Sequence, residues 1–249
     1  MGVFRFKQFE IDDSNCGMKV GTDSVLLGAW TPRPPGNRGF KVLDVGTGSG
    51  LLALMIAQRF SEAYITGVEI DQSAAEMAQL NVTRSTWSDR IEILAHDILS
   101  CETIKWELFD MVISNPPFYI ENVHSPDANR SLARHGENFN VLTLIDVATR
   151  HLAPLGLLSF IAPISRHDDI IYKATVSRLN LIATCDVSQR PSRPVTRRLY
   201  LFANGKMNRG ELNLFDYNRT TPTSIIINSN TGQPSEQYRS LTRDFYRNF

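Results

Sequence analysis

A short apolar run followed at once by a glycine-rich turn constrains the fold more than any other stretch of the chain. The run KVLDV at 41–45 is apolar and β-branched, as in a strand buried on both faces of a parallel sheet. It leads into GTGSG at 46–50, and apolar residues with helical spacing follow over 51–59. This order of strand, glycine turn and helix predicts the start of a βαβ unit of the kind that binds nucleotides.

Further apolar runs of strand length follow, and most are separated by stretches with helical periodicity. The predicted strands cover 64–70, 90–94, 109–114, 157–162, 181–187 and 199–203. The predicted helices cover 73–83 from a cap at Ser73, 141–152 and 166–178, with a short helix capped by Thr22 or Asp23 before the first strand. This alternation predicts an α/β fold with a doubly wound, mostly parallel seven-stranded sheet.

The length of 249 residues suits a single domain, because two full domains would be cramped. Its expected parts are an N-terminal segment (1–40), a core (41–205) and a C-terminal extension (206–249). Apolar residues make up 42% and charged residues 21%, with no tract long enough to cross a bilayer and no apolar signal core at the amino terminus. We therefore expect a cytoplasmic protein with no membrane partner.

The cysteines and histidines do not indicate a metal site. Cys16, Cys101 and Cys185 are scattered without CxxC spacing, which favours reduced thiols over a disulfide framework. The five histidines show neither HExxH nor another ligand spacing. No metal is predicted.

The glycine turn indicates what kind of cofactor the first unit binds. Glycines at 46, 48 and 50 allow the backbone to turn tightly and approach a ligand, beside the positive end of the following helix. The spacing is Gly-x-Gly-x-Gly after Asp44, not the Gly-x-Gly-x-x-Gly that seats a pyrophosphate. It therefore favours a cofactor with a carboxylate and an ammonium group, for which Asp44 would be an acidic neighbour.

Two acids follow the next two predicted strands. Glu69 is placed to accept the hydrogens of two ribose hydroxyls, since an acid about 20 residues after the glycines makes this contact in dinucleotide folds; the alternative is a solvated loop carboxylate. Asp97 is a candidate to bind an adenine amino group, with Ile98 against the ring. For Asp97 the alternative is a helix-capping role.

The tetrapeptide Asn115-Pro116-Pro117-Phe118 directly follows the predicted strand at 109–114. Each proline fixes its own φ and removes an N–H, which leaves a rigid, donor-poor corner with free carbonyls. Such a corner, with an amide on one side and an aromatic ring on the other, suits a planar group such as a base. Taken alone, it also fits an ordinary Pro-Pro loop.

Together, these motifs resemble the class I S-adenosylmethionine-dependent methyltransferases. The resemblance implies S-adenosylmethionine as the cofactor, and Asn115, Pro116, Pro117 and Phe118 as the catalytic corner. In that family the motif holds a planar target with an NH₂ group: adenine N6, guanine N2 or a glutamine amide. The implied roles are that Asn115 Oδ1 and the Pro116 carbonyl accept the two amine hydrogens while Phe118 stacks on the ring.

The amino-terminal motif narrows the resemblance. Three segments are similar to those of the bacterial tRNA(Val) adenine-N6 methyltransferases, which act at tRNA position 37 beside the anticodon. They are MKVGTD at 18–23, LLGAW at 26–30 and the tail YRSLTRDFY at 238–246. This implies a tRNA partner and extends the cofactor set to Lys19, Thr22, Ile70 and Asn115. Phe118 departs from those members that have tyrosine. Guanine-N2 methylation of rRNA, protein glutamine methylation and a catalytically idle RNA-binding protein remain alternatives.

Arginines make one region basic in a chain whose net charge is zero. They cluster within 178–219, and the candidates for phosphate contacts are Arg190, Arg193, Arg197 and Arg198. Arg130 and Arg134, in the long polar loop at 119–138, are expected to add to them. For any single arginine the alternative is a solvated surface residue.

Overall fold

The structure, a computed structural model, describes residues 2–36, 38–100, 107–118, 139–205 and 222–248. Their elements confirm the α/β fold class. In chain order these are β1 (Val3–Arg5), β2 (Glu10–Asp12), α1 (Thr22–Trp30), β3 (Phe40–Val45), α2 (Leu51–Arg59), β4 (Ala63–Glu69), α3 (Gln72–Thr83), β5 (Ile91–Ala95), β6 (Phe109–Ser114), α4 (Val141–His151), β7 (Leu152–Pro163), a 3₁₀ turn (Ile164–Arg166), α5 (His167–Val176), β8 (Leu179–Ser188), β9 (Val195–Asn204), β10 (Ser224–Ile226) and α6 (Glu236–Thr242).

The main sheet of the described residues has eight strands in the order β10-β8-β9-β7-β6-β3-β4-β5, so the predicted count of seven is wrong by one. The additional strand, β10, pairs with β8 in parallel and lies in the predicted C-terminal extension. Three residues are too few to show an apolar period in the sequence. Only β9 runs against its neighbours β7 and β8, which leaves the sheet mostly parallel.

Helices cover both faces of this sheet. On one face, Val42 and Ile113 pack with α1, α2 and the C-terminal segment. On the other, Leu43 and Val112 pack with α4 and α5. Successive residues of a strand alternate between the two faces, which explains why these strands carry apolar residues at neighbouring positions. Among the described residues, no helix is both long and apolar enough to span a membrane.

Two predicted helix caps are wrong. The N-cap of α1 is Gly21, with no side-chain cap bond; Thr22 and Asp23 are already within the helix, where Asp23 pairs with Arg197. The N-cap of α3 is Asp71, not Ser73, since the carboxylate of Asp71 accepts hydrogen bonds from two backbone N–H groups, including that of Ser73. The strand β9 also begins earlier than predicted, at Val195, where polar residues hide the strand pattern.

The two ends of the chain pack together. Phe6, next to the β1–β2 hairpin, forms a β-bridge with Tyr246. The N–H of Lys7 donates to the Phe245 carbonyl at 2.7 Å, and the Phe245 side chain is buried in the core that also contains α1. The carboxyl-terminal segment therefore supports the face of the sheet on which α1 lies.

Candidate active site

The predicted site residues follow the carboxyl ends of neighbouring parallel strands. The glycine turn follows β3 and Asn115 follows β6; β3 pairs with β6 on one side and with β4 on the other. This is a topological switch point, where open α/β sheets form a ligand crevice. A cavity of about 460 Å³ lies here. The predicted site residues that line it are Lys19, Gly46, Gly48, Glu69, Ile70, Asp97, Ile98, Asn115 and Pro117.

Five of the predicted catalytic and cofactor-binding residues do not line this cavity. Thr22 begins α1, Gly50 is the N-cap of α2, and Asp44 is fully buried. Pro116 is buried and Phe118 is half-buried against the core. Of the predicted RNA-binding residues, Arg130 and Arg134 lie outside the described residues.

The glycine turn adopts a backbone that only glycine enters easily. Gly46, Gly48 and Gly50 have φ angles of 68°, 57° and 82°, in the left-handed region. The N–H groups of Gly46 and Thr47 both donate to the Val68 carbonyl, at 2.9 and 3.1 Å. The turn is thus attached to β4 and presents its backbone to the cavity.

Glu69 is held in place by backbone donors on two sides. Its Oε2 accepts from the Gly48 N–H at 2.9 Å and its Oε1 accepts from the Asp71 N–H at 3.1 Å. A carboxylate has about four acceptor positions, so two remain for a ligand. This arrangement differs from a freely solvated loop carboxylate.

Asp44 lies beneath the glycine turn rather than in the cavity. Its Oδ2 accepts from Thr47 Oγ1 at 2.6 Å and from the Ala53 N–H at 3.2 Å, so it braces the turn. Its Oδ1 accepts no hydrogen bond from any residue that the structure describes. Burial raises the pKa of Asp44 to about 7, against the effect of these hydrogen bonds. Asp44 is therefore buried next to the cavity and does not line it.

Asp97 closes a turn after β5. Its Oδ1 accepts from the Leu99 N–H at 2.9 Å, so it caps a tight turn instead of a helix. The side chain of Ile98 is buried with the core under α4 and also lines the cavity. Asp97 and Ile98 therefore line the cavity after β5, two strands away from the glycine turn that follows β3.

Asn115 is oriented by a residue that sequence reasoning missed. Its Nδ2 donates to Ser24 Oγ at 2.9 Å and lies 3.5 Å from Met18 Sδ. Its Oδ1 is buried and accepts no hydrogen bond within the described ranges. The preceding Ser114 anchors the corner, because its Oγ donates to the Val45 carbonyl at 2.7 Å. No local pattern could identify Ser24, which lies 91 residues away in the chain.

The arginines predicted to bind RNA fall into two groups. Arg190 and Arg193 are exposed in the turn between β8 and β9. Arg197 pairs with Asp23, with its Nε 3.2 Å from Oδ2, and Arg198 pairs with Asp186, with its Nε 2.6 Å from Oδ1. Arg190 and Arg193 are therefore more available to a phosphate than Arg197 and Arg198, whose guanidinium groups already pair with carboxylates.

Comparison with known proteins identifies the family of the chain. The methyltransferase small domain family matches residues 20–183. A tRNA1(Val) (adenine(37)-N6)-methyltransferase of Porphyromonas gingivalis is 42% identical over 248 residues, covering 98% of this chain and 94% of the relative. The protein of the same description from Vibrio campbellii is 37% identical over 243 residues, covering 98% and 95%.

Solved structures share the fold. A protein described as a predicted O-methyltransferase from Agrobacterium tumefaciens superposes with a TM-score of 0.65 at 21% identity, covering 92% of this chain and all 100% of that one. A putative class I S-adenosylmethionine-dependent methyltransferase from Listeria monocytogenes has a TM-score of 0.55 at 13% identity, covering 88% and 65%. The chain therefore belongs to the methyltransferase small domain family, within the group of bacterial proteins described as tRNA1(Val) (adenine(37)-N6)-methyltransferases.

Proposed function

We propose that this protein transfers a methyl group from S-adenosylmethionine to the exocyclic N6 of an adenosine in tRNA. The observation that carries the proposal is Asn115, whose amide NH₂ is held by Ser24 while its buried Oδ1 accepts nothing from the described residues. An acceptor left open in this way suits an incoming NH₂ group. The relatives described above support the finer assignment to adenosine 37 of tRNA(Val).

The residues around the cavity fit the cofactor. Glu69 would hold the ribose hydroxyls with its two remaining acceptor positions, and Asp97 and Ile98 would hold the adenine. Gly46 and Gly48 permit close approach of the backbone, while Lys19 and Ile70 complete the cavity wall. S-adenosylmethionine, when bound, supplies a methyl group on a positively charged sulfur.

The catalytic corner acts on the target amine. The lone pair of an exocyclic amine is delocalised into its ring, which makes the nitrogen a poor nucleophile. Asn115 Oδ1 and the Pro116 carbonyl would accept its two hydrogens, which draws the nitrogen toward tetrahedral geometry and frees the lone pair. Phe118 would stack on the base and fix its approach. The rate enhancement thus comes from alignment of the amine with the methyl group and from preorganised acceptors for its hydrogens. The methylated nitrogen then loses a proton to water.

The direct test is methylation of unmodified tRNA(Val) with labelled cofactor, followed by nucleoside analysis of the product. We expect label in N6-methyladenosine, and none in a matched tRNA with guanosine at position 37. Label in N2-methylguanosine or in protein alone would overturn the proposal. Cofactor binding with no transfer to any tRNA would favour a catalytically idle RNA-binding protein.

Cofactor affinity should depend on pH through Asp44. In the free protein the pKa of Asp44 is raised to about 7, so this carboxyl is mostly neutral at pH 6. A nearby ammonium favours the carboxylate, so binding should release a proton, and affinity should fall as pH drops below 7, by at most about tenfold per pH unit. Calorimetry in two buffers of different ionisation enthalpy measures that proton release.

Asp44→Asn is the control for this pH effect, because it keeps the shape and removes the titration. It should bind cofactor more weakly at pH 8 and without the step near pH 7. The ordinary pKa of an aspartate is 3.8, and burial raises that of Asp44 to about 7. Between these two pH values the free energy of unfolding of the free protein should therefore fall as pH rises, and Asp44→Asn should not show this fall. An unchanged pH step in the variant would assign the titration to another group.

Arg190 and Arg193 are proposed to contact tRNA phosphates. Reversing both to glutamate should raise the KM for tRNA about tenfold or more at physiological salt, with little change in kcat, and should reduce the salt dependence of KM. Steady-state kinetics at three salt concentrations measure this. Arg84→Glu is the control for a reversed charge elsewhere on the protein: Arg84 follows α3, which packs on β5 at the opposite edge of the sheet, and the change should leave KM unchanged. Equal effects in both variants would contradict a local contact.

A further inference from the structure

The ring of Phe118 is in contact with a cation. The guanidinium carbon of Arg197 lies 4.8 Å from the centroid of the Phe118 ring, within the range of a cation–π interaction. Phe118 is half-buried, and it packs against the core on the α1 side of the sheet. One face of the ring is thus covered by the guanidinium.

Arg197 is itself held by α1. Its Nε donates to Asp23 Oδ2 at 3.2 Å, and both side chains are only partly exposed, 34% for Arg197 and 25% for Asp23. Burial raises the pKa of Asp23, and the guanidinium of Arg197 opposes this shift, as expected for a pair withdrawn from bulk water. A guanidinium is planar, so it can donate along its edge to the carboxylate while its face lies on the ring.

The strand register explains why Arg197, and not Arg198, reaches this position. In β9, Leu199 and Leu201 face the same core as α1, whereas Tyr200 faces the core under α4. Arg197 is in phase with the leucines and Arg198 with Tyr200. The side chains of Arg197 and Arg198 therefore lie on opposite faces of the sheet.

We propose that Arg197, held by Asp23, is a positioning residue that fixes the ring of Phe118 in the orientation in which it stacks on the target base. This rests on the proposed function, in which Phe118 stacks on that base. It replaces the expectation that Arg197 mainly contacts a tRNA phosphate. Arg197 acts through Phe118 and does not touch the reacting atoms.

A double-mutant cycle tests this inference. Arg197→Gln should lower kcat/KM for tRNA about tenfold in the wild-type background, but less than twofold in a Phe118→Leu background, because the ring through which it acts is absent. Arg193→Gln, which removes an equal charge from the same region without a contact to Phe118, should have the same effect in both backgrounds. Arg197→Lys keeps the cation without the planar group and should give an intermediate rate.

Two further measurements separate positioning from stability. Cofactor affinity, measured by calorimetry, should stay within twofold in Arg197→Gln, and the melting temperature should identify any variant that fails to fold. Asp23→Asn, which releases Arg197 from α1, should reproduce most of the loss in kcat/KM. Equal losses for Arg197→Gln in both Phe118 backgrounds would overturn the inference and restore the phosphate contact. Failure of the wild type to methylate any tRNA would instead overturn the proposed function.

Discussion

Asn115→Ala is expected to reduce kcat for methyl transfer to tRNA by a factor of about 10²–10³, while cofactor affinity stays within a few-fold. The variant removes the Oδ1 that we propose accepts a hydrogen from the target amine. Removal of one preorganised hydrogen-bonding group at a reacting centre typically has an effect of this size. Single-turnover kinetics with tRNA, together with calorimetry of cofactor binding, measure the two quantities separately.

Two variants sharpen the interpretation of Asn115. Asn115→Asp keeps acceptors at the same place and should retain more activity than alanine. Ser24→Ala removes the acceptor that orients the Asn115 NH₂, 2.9 Å away, and should lower kcat only several-fold because Asn115 Oδ1 remains. A loss of cofactor affinity in Asn115→Ala equal to its loss of kcat would place Asn115 in cofactor binding instead of amine binding.

Glu69→Gln should weaken cofactor binding about 10- to 100-fold, the second large effect that we expect. The carboxylate accepts from the N–H groups of Gly48 and Asp71 and, as proposed, from two ribose hydroxyls. An amide nitrogen cannot accept, so one backbone donor would lose its partner in the free and the bound protein alike. The ligand would lose a charge-assisted bond, and the cost of about 1–3 kcal/mol for that bond sets the loss of affinity. Calorimetry with S-adenosylmethionine measures the loss.

The demethylated product S-adenosylhomocysteine provides a check on Glu69. It has the same ribose, so Glu69→Gln should weaken its binding by the same factor. Glu76→Gln, the same change on the exposed side of α3, is the matched control and should leave both affinities unchanged. A loss confined to the methylated cofactor would indicate that Glu69 interacts with the charged sulfur rather than with the ribose.

The strands differ in how well the local sequence predicts their bounds. β3 and β6 were predicted almost to the residue, because each is rich in apolar residues and is followed at once by turn residues, Gly46 after β3 and Asn115-Pro116 after β6. β7 was predicted to begin at 157 but begins at Leu152, since Pro154 and Gly156 interrupt its apolar run. β10 was missed because three residues contain no period. Local sequence thus predicts a strand well where the apolar stretch is long and turn residues follow it.

The sequence by itself determined the order of strands and helices from α1 to β9, the glycine turn after β3 and the Asn-Pro-Pro-Phe corner after β6, because short-range periodicity and turn chemistry encode each of these. Only the tertiary structure decided that Ser24 holds the Asn115 amide, that Asp44 lies beneath the turn, and that Arg197 covers the Phe118 ring. In the first and third cases the partners are far apart in the chain. Strand register and helix packing, which no local pattern contains, bring such side chains together.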